Sequence, residues 1–387
     1  MNLCDTEKCT GCGACDASCP GRCISMQLAD NGFKYPVVNS GNCIECGLCE
    51  KSCHILHPQT KKPASAIITA TYISDDTALN NSSSGGIGYA LSEYVLKTGG
   101  IVFGAAYDER LNVNIIEVSD TEDLYKLQGS KYVQSDTNNT YPKVKKHLID
   151  GKKVLYFGLP CQIGGLYAYL NNTDTKNLIT CDLLCGGGPS PEVLKKYISY
   201  LENKYNCKVD NLNFRSKKYG YGYLMHELHF NNGKSRLLYG TDASYIKSLG
   251  AGYIRSSCFG CPYASAERIG DLTIGDAWGL KADKDILNKG VSLIMINSAK
   301  GESIISKIKD NLIMQERTAD DLFKSQHHSI GKEKKKPSNY DSYFKDYVTL
   351  DWKSFSDKYL KSKSLKQRIL DGVPPALFVK LNNTLRK

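Results

Sequence analysis

Beyond residue 65 the chain alternates short apolar runs with stretches of helical spacing. Ala66–Ile73 is a β-branched run that reads as a strand. A polar stretch and Ser82–Gly86 (SSSGG) follow, and the apolar positions of Ile87–Lys97 then recur at helical spacing. Gly100–Tyr107 is apolar enough for a buried strand, and Asn112–Val118 reads as a second. Lys153–Phe157 predicts a strand that passes through Gly158 to Cys161 into a helix over Gln162–Leu170. Leu178–Leu184 predicts another strand, ending at Cys185 and three glycines. Pro191, suited to a first helical turn, opens a helix over Glu192–Tyr205. Tyr223–Phe230, Ile269–Ile274 and Val291–Ile296 read as strands, and Glu302–Asp310 as a helix. Such alternation predicts an α/β core. Past Gly331 the chain is polar, aromatic-rich and weakly helical.

Residues 1–58 do not share this rhythm and are too few for a conventional core. Three domains are expected: 1–58; an α/β body over 66–330 with a subdivision near residue 150; and a basic C-terminal tail over 331–387. Gln59 to Ser65 (QTKKPAS) reads as the linker behind the first.

Composition narrows the class. Hydrophobic content of 41% and charged content of 23% are ordinary for a soluble globular protein, and no apolar run is long enough to span a bilayer. From Gly331 onward 14 Lys/Arg face 6 Asp/Glu, so eight of the ten net positive charges sit in the tail. The nearly neutral remainder argues against nucleic acid as a partner. Lys332 to Lys336 reads as a solvated run, with docking of an acidic ferredoxin or an anionic membrane as its alternative. His327 and His328 read as a surface pair. Sixteen cysteines without a signal-peptide pattern point to the reducing cytoplasm.

The cysteines carry the chemistry. Cys9, Cys12, Cys15 and Cys19 stand in C-x2-C-x2-C-x3-C, with Pro20 behind the last. Cys43, Cys46, Cys49 and Cys53 repeat the spacing, with His54 in the proline's place. This is the run of a two-cluster ferredoxin, in which the fourth cysteine of each set ligates the other set's cluster. The spacing therefore assigns Cys9, Cys12, Cys15 and Cys53 to one 4Fe–4S cluster, and Cys43, Cys46, Cys49 and Cys19 to a second. Zinc ligands come as separated pairs instead of tight triplets plus one. Cys4 and Cys23 fall outside the pattern and read as bystanders.

Further on, Cys258 and Cys261 form a C-x2-C pair in a Gly/Pro-rich loop, Cys161 opens a helix and Cys185 ends a strand. These four could hold a third cluster, with Cys181 as a substitute for one of them. Zinc, a redox-active thiol pair or inert core thiols are the competing readings. Ser82–Gly86, in a strand–loop–helix context, reads as a phosphate-binding turn or an ordinary helix cap. Gln128 to Tyr132 and Phe214 to Lys217 are candidate substrate contacts or plain turns. Gly270 to Gly279 is a strand with Asp276 and Trp278 at its end.

Together, SSSGG at Ser82–Gly86, GSKY at Gly129–Tyr132, GLPCQI at Gly158–Ile163, CDLLCGGGPSP at Cys181–Pro191, and Cys258/Cys261 followed by IGDLTIGDAWG resemble the beta subunit family of coenzyme F(420) hydrogenases and dehydrogenases. The front resembles members with a fused two-cluster ferredoxin domain. The resemblance implies FAD, and a third 4Fe–4S cluster on Cys161, Cys185, Cys258 and Cys261. It also implies flavin contacts from Ser82, Ser83, Ser84, Gly85, Gly86, Ser130 and Lys131, with Asp276 and Trp278 as further ones. The expected function is that of a flavin and iron–sulfur oxidoreductase, passing electrons between its clusters and a hydride partner. That partner is F(420) or an organic substrate reduced at the expense of ferredoxin. The alternatives are a non-catalytic electron-transfer subunit serving a partner protein, a ferredoxin-dependent reductase linked to surface-polysaccharide synthesis, and a thiol-redox protein using Cys258/Cys261. No catalytic acid or base stands out.

Overall fold

A computed structural model describes residues 3–385 apart from 224, 281–283, 332–333, 362–364, 366–368 and 370–371. Part of the lysine run, at 332–333, and the side chains of His327 and His328 lie outside the described residues.

The body is built on an eight-stranded mixed sheet. Its strands are β3 (Ala66–Tyr72), β4 (Ile101–Tyr107), β5 (Val113–Val118), β6 (Val154–Gly158), β7 (Leu178–Leu183), β11 (Leu272–Asp276), β12 (Ser292–Ile296) and β13 (Leu312–Arg317), in the order β13-β3-β12-β11-β7-β6-β4-β5. The centre, β11-β7-β6-β4, is parallel, and β5, β12, β3 and β13 join it antiparallel. Two antiparallel steps separate β3 from β11, so the two run the same way. The carboxyl ends of β3, β4, β6, β7 and β11 therefore lie along one edge, where open α/β sheets bind ligands.

Strand pleating explains how both faces are buried. Ile101 and Phe103 of β4, with Val154 and Tyr156 of β6, face one helical layer, whereas Val102 and Leu155 face the other. The first layer is supplied by helices Thr140–Ile149 and Pro160–Leu170, and the second by Ile87–Lys97 and Ala299–Ile308. Ile87, Ala90, Leu91 and Val95 bury one stripe of their helix.

A second sheet, β10-β9-β8, is antiparallel and consists of β8 (Val209–Ser216), β9 (Met225–Phe230) and β10 (Ser235–Leu238). The N-terminal region adds the hairpin β1 (Ile24–Leu28) and β2 (Lys34–Val38). The expected linker is pinned to the body at Lys62, whose N–H donates to the Arg268 carbonyl at 2.8 Å. The largest apolar cluster joins Phe33 and Tyr35 of the N-terminal region to helix Pro191–Tyr205, the small sheet and the residues beyond Gly331. The described residues there are more helical, and bury more aromatic side chains, than a polar, weakly helical tail would. Helices Tyr340–Thr349 and Trp352–Tyr359 bury Tyr343, Phe344, Trp352 and Phe355, and Tyr343 stacks on Tyr253 with ring centroids 3.8 Å apart. Among the described residues, no helix is long and apolar enough to cross a membrane.

Candidate functional site

The duplicated cysteine motif forms duplicated structure. Each triplet ends in a single helical turn, Ala14–Ala17 or Leu48–Lys51, capped by a glycine in the left-handed region, Gly13 (φ 74°) or Gly47 (φ 70°). No side chain is comfortable there, and the conformation folds the third cysteine back toward the first two. The fourth cysteines cross over. Cys53 lies within electrostatic reach of Cys12 and Cys15, beside Cys9. Cys19 shares one small cleft with Cys43, Cys46 and Cys49. The structure thus brings together the two sets that the spacing paired.

Cys4 and Cys23 are not bystanders in space. The Cys4 thiol is hydrogen-bonded to Cys53 and Cys9, and the Cys23 thiol lies 3.2 Å from that of Cys19.

Cys161, Cys185, Cys258 and Cys261 also converge, each lying within electrostatic reach of others in the set. Cys161 lies in the first turn of helix Pro160–Leu170, Cys185 follows β7, and Cys258 ends the short turn Ser256–Cys258. Cys181 does not join them: it points into the sheet core beside Leu272 and is fully buried. The loop carrying Cys261 is anchored by Arg268, itself buried. Its Nη2 donates to Asp182 Oδ1 at 2.7 Å, and Nη1 to the carbonyls of Tyr263 (2.9 Å) and Ser265 (3.1 Å).

Burial pushes the thiols of Cys12 and Cys258 up to about 12, and that of Cys161 well above its ordinary value. Crowded buried thiols of this kind stay neutral alone and ionise only against a cationic centre, which iron–sulfur clusters supply. The donor sets therefore fit such clusters. Among the described residues, no three His, Cys, Asp or Glu side chains close on a single metal ion.

The first N-terminal set abuts the body set. A Cβ on Gly165 would meet Cys12 Sγ at 2.8 Å, so helix Pro160–Leu170, whose first turn carries Cys161, touches the cluster loop directly. His54 adds a polar bridge, hydrogen-bonded to Thr10 Oγ1 at 2.9 Å and to the Tyr263 hydroxyl at 2.8 Å.

Cys185 also lies in the wall of a cavity of about 1330 Å³ at the carboxyl edge of the sheet. Ser82, Ser83, Ser84, Gly86, Ser130 and Lys131 line it, as do Asp276 and Trp278. Gly85 is the exception among the expected contacts. It packs beneath the loop, its N–H donating to Ser292 Oγ at 2.9 Å, and a Cβ there would strike the Ala70 carbonyl. The loop is held from behind by Lys217, whose Nζ donates to the carbonyls of Leu79 and Ser84, both at 2.6 Å. Gly86 (φ 77°) then caps helix Ile87–Lys97 without a side chain to occupy its N-terminus. That arrangement suits an anionic group.

Asp276 is already engaged. Arg215 Nη1 donates to its Oδ2 at 2.6 Å, and the Tyr221 hydroxyl to its Oδ1 at 2.8 Å. Trp278 stacks on Tyr221 at 5.5 Å, and the Arg215 guanidinium lies 4.9 Å from the indole centroid. Arg215 lies in the stretch Phe214 to Lys217, which the sequence leaves as either a substrate contact or a plain turn. Its role becomes visible only when β8 meets the end of β11.

Two further lining residues had no signal in the sequence: His226 and Ser329. His226 Nδ1 and Ser329 Oγ are buried without a partner among the described residues. Orphaned polar atoms on the wall of a large cavity fit a bound polar cofactor.

Burial, reinforced by the nearby Arg215, lowers the pKa of His226 to about 4 from 6.5. Between those values the unfolded chain binds one proton more than the folded one, so stability rises with pH across the window. His226→Leu should flatten that rise in anaerobic urea titrations compared with the parent chain; an unchanged pH slope would contradict the assignment.

Comparison with known proteins adds two matches. Residues 151–321 match the family described as the C terminus of the coenzyme F(420) hydrogenase/dehydrogenase beta subunit, and residues 8–55 match the 4Fe–4S dicluster domain. Among solved structures, a chain from the xenon-derivatized F(420)-reducing [NiFe] hydrogenase complex of Methanosarcina barkeri is similar, with 19% identity and a TM-score of 0.45. The match covers 70% of this chain and 91% of that one. No curated protein matches.

Proposed function

From a chain that joins a 4Fe–4S dicluster domain to the C-terminal domain of the coenzyme F(420) hydrogenase/dehydrogenase beta subunit, we propose a flavin- and iron–sulfur-dependent oxidoreductase. Its clusters would face a one-electron partner such as ferredoxin. Its cavity would take the hydride partner, either F(420) or an organic substrate. When bound, clusters carry single electrons at potentials often near roughly −400 mV, whereas a flavin exchanges one electron or two.

The residues divide the work. Cys9, Cys12, Cys15 and Cys53 hold one cluster, Cys19, Cys43, Cys46 and Cys49 the second, and Cys161, Cys185, Cys258 and Cys261 the third. Ser82–Ser84 and Gly86 would seat the phosphates of FAD at a helix N-terminus, with Ser130, whose N–H donates to Ser83 Oγ, and Lys131 beside them. Arg215, neutralised by Asp276, keeps the floor of the cavity rigid without adding net charge. His226 stays neutral at physiological pH and offers Nδ1 to the bound group. Twelve thiol ligands, Cys46 among them exposed, call for a reducing compartment, which fits the cytoplasm.

One observation carries this reading. Cys12 lies against the helix whose first turn carries Cys161, and Cys185 belongs both to the body set and to the cavity wall. The three cysteine sets therefore form a series that ends at the cavity.

Anaerobic purification with iron, sulfide and flavin counted together tests it. Three clusters give about 12 iron per chain, and two give about 8. About twelve iron with one FAD is the expected result; about eight without flavin would overturn the reading. Mixing the loaded protein with reduced F(420) and, separately, with reduced ferredoxin then identifies the donor. Electron exchange with a protein partner but with no small acceptor would instead favour a non-catalytic subunit.

A further inference from the structure

The dicluster motif calls for eight cysteines, yet ten stand in the N-terminal region, and neither extra one is idle in space. Cys23 follows Cys19 by four residues across a tight turn in which the Arg22 N–H donates to the Cys19 carbonyl at 3.1 Å. Arg22 adopts φ 49°, a left-handed conformation unusual for its side chain, and the chain folds back on itself there. The turn leaves Cys23 Sγ 3.2 Å from Cys19 Sγ, with the Cys23 N–H donating to the same sulfur at 3.3 Å. Cys23 is only 7% exposed and packs in one cluster with Cys49, Cys15, Cys19 and Cys43. It also lines the cleft shared by Cys19, Cys43, Cys46 and Cys49. On the other set, Cys4 stands against Cys9 and Cys53 in the same relation.

We propose that Cys23 is a reserve ligand of the Cys19/Cys43/Cys46/Cys49 set, placed to take the iron corner that Cys19 holds. The inference rests on the reading that this set binds a 4Fe–4S cluster. A sulfur 3.2 Å from the resident one reaches the same metal by a side-chain rotation and a small adjustment of the turn, without moving the other three ligands. The exchange is simple in its balance. The iron–sulfur bond to Cys19 is lost, one to Cys23 forms, the Cys23 thiol proton passes to the departing Cys19 thiolate, and no electrons are gained or lost. The resident ligand is Cys19 because the Cys23 N–H points at its sulfur, a hydrogen bond that favours the thiolate there.

The test is iron and sulfide counting on full-length chains purified anaerobically, with electron paramagnetic resonance of the reduced protein. The variants are Cys19→Ala, Cys23→Ala, the double variant Cys19→Ala/Cys23→Ala, and Cys46→Ala as the control at a different corner. Both Cys19→Ala and Cys23→Ala are expected to keep the parent's iron, with an altered signal only in Cys19→Ala. The double variant and Cys46→Ala should each lose about four iron per chain. A Cys19→Ala protein as iron-poor as the double variant would overturn the proposal. So would full iron in Cys46→Ala, because any corner would then tolerate the loss of its ligand. Cys19→Ser gives the same comparison should the alanine variant fail to fold. A parent chain without N-terminal iron would overturn the cluster reading itself, a result distinct from the failure of Cys23 alone.

Discussion

Cys258→Ala is expected to remove about four of roughly twelve iron atoms per chain and to leave the two N-terminal clusters in place. The body set is separable because its ligands come from the ends of β6, β7 and one loop, whereas the N-terminal sets are closed by their own two helical turns. The Cys258 N–H is fixed to the Arg255 carbonyl at 3.0 Å, so the backbone of the turn survives loss of the thiol. Transfer from reduced ferredoxin to the cavity should fall with the iron, because the body set is the segment of the series between the N-terminal sets and the cavity. Direct reduction of the bound cofactor by a small donor should persist. Iron counting before and after substitution decides the matter: full retention refutes the ligand assignment, and loss of all iron refutes the independence of the sets.

Arg268→Met should destabilise the folded chain by roughly 3–5 kcal/mol, the usual result of removing one partner from a buried ion pair. Arg268 and Asp182 have side-chain exposures of 1% and 0%, and Asp182 Oδ2 also accepts the Gly270 N–H at 2.9 Å. Without the guanidinium, a carboxylate remains at the heart of the sheet's functional edge. The carbonyls of Tyr263 and Ser265 lose their donors at the same time, and they lie in the loop that carries Cys261. Anaerobic urea unfolding should show a lower midpoint with an unchanged slope. The double variant Arg268→Met/Asp182→Leu should recover part of the loss, since no buried charge is then left unpaired. A single variant within about 1 kcal/mol of the parent would show that water reaches the pair.

The contrast between these two sites shows what the residues disclose in order and what they do not. Helix Ile87–Lys97 was legible because its apolar residues keep helical spacing, and the central strands because they are continuously apolar. β13 was not, since it is an edge strand with a single buried residue, Leu312, and its exposed positions look like any polar loop. β8 was hidden by Asp210, Asn211 and Asn213, which separate its buried Val209, Leu212 and Phe214. The helices after Gly331 did carry a signal: Tyr340, Tyr343 and Phe344, then Trp352, Phe355 and Tyr359, fall at helical spacing. The lysines of the same segment masked it.

At the site, the two N-terminal cysteine sets stood out because the triplet-plus-one spacing is repeated, whereas spacing left the body set open to Cys181, which the structure places in the sheet core. Arg215 was not legible, because its partner Asp276 lies 61 residues away on another sheet. His226 and Ser329 could not be singled out either, since an unpartnered atom becomes informative only after everything around it has been paired.

Gly164 and Gly165 give one more consequence. Alanine would serve a buried helix better than glycine by about 1 kcal/mol at each position. Here a methyl group at Gly164 would strike the Tyr263 hydroxyl, and one at Gly165 would press on Cys12. Gly164 therefore makes room for Tyr263 of the body itself, whereas Gly165 is a fitted seat for the N-terminal region. A related body that works without such a region has no reason to keep the second glycine. Whether a glycine stands at that position could therefore be used, from sequence alone, to sort relatives that carry or recruit a dicluster module from those that stand by themselves.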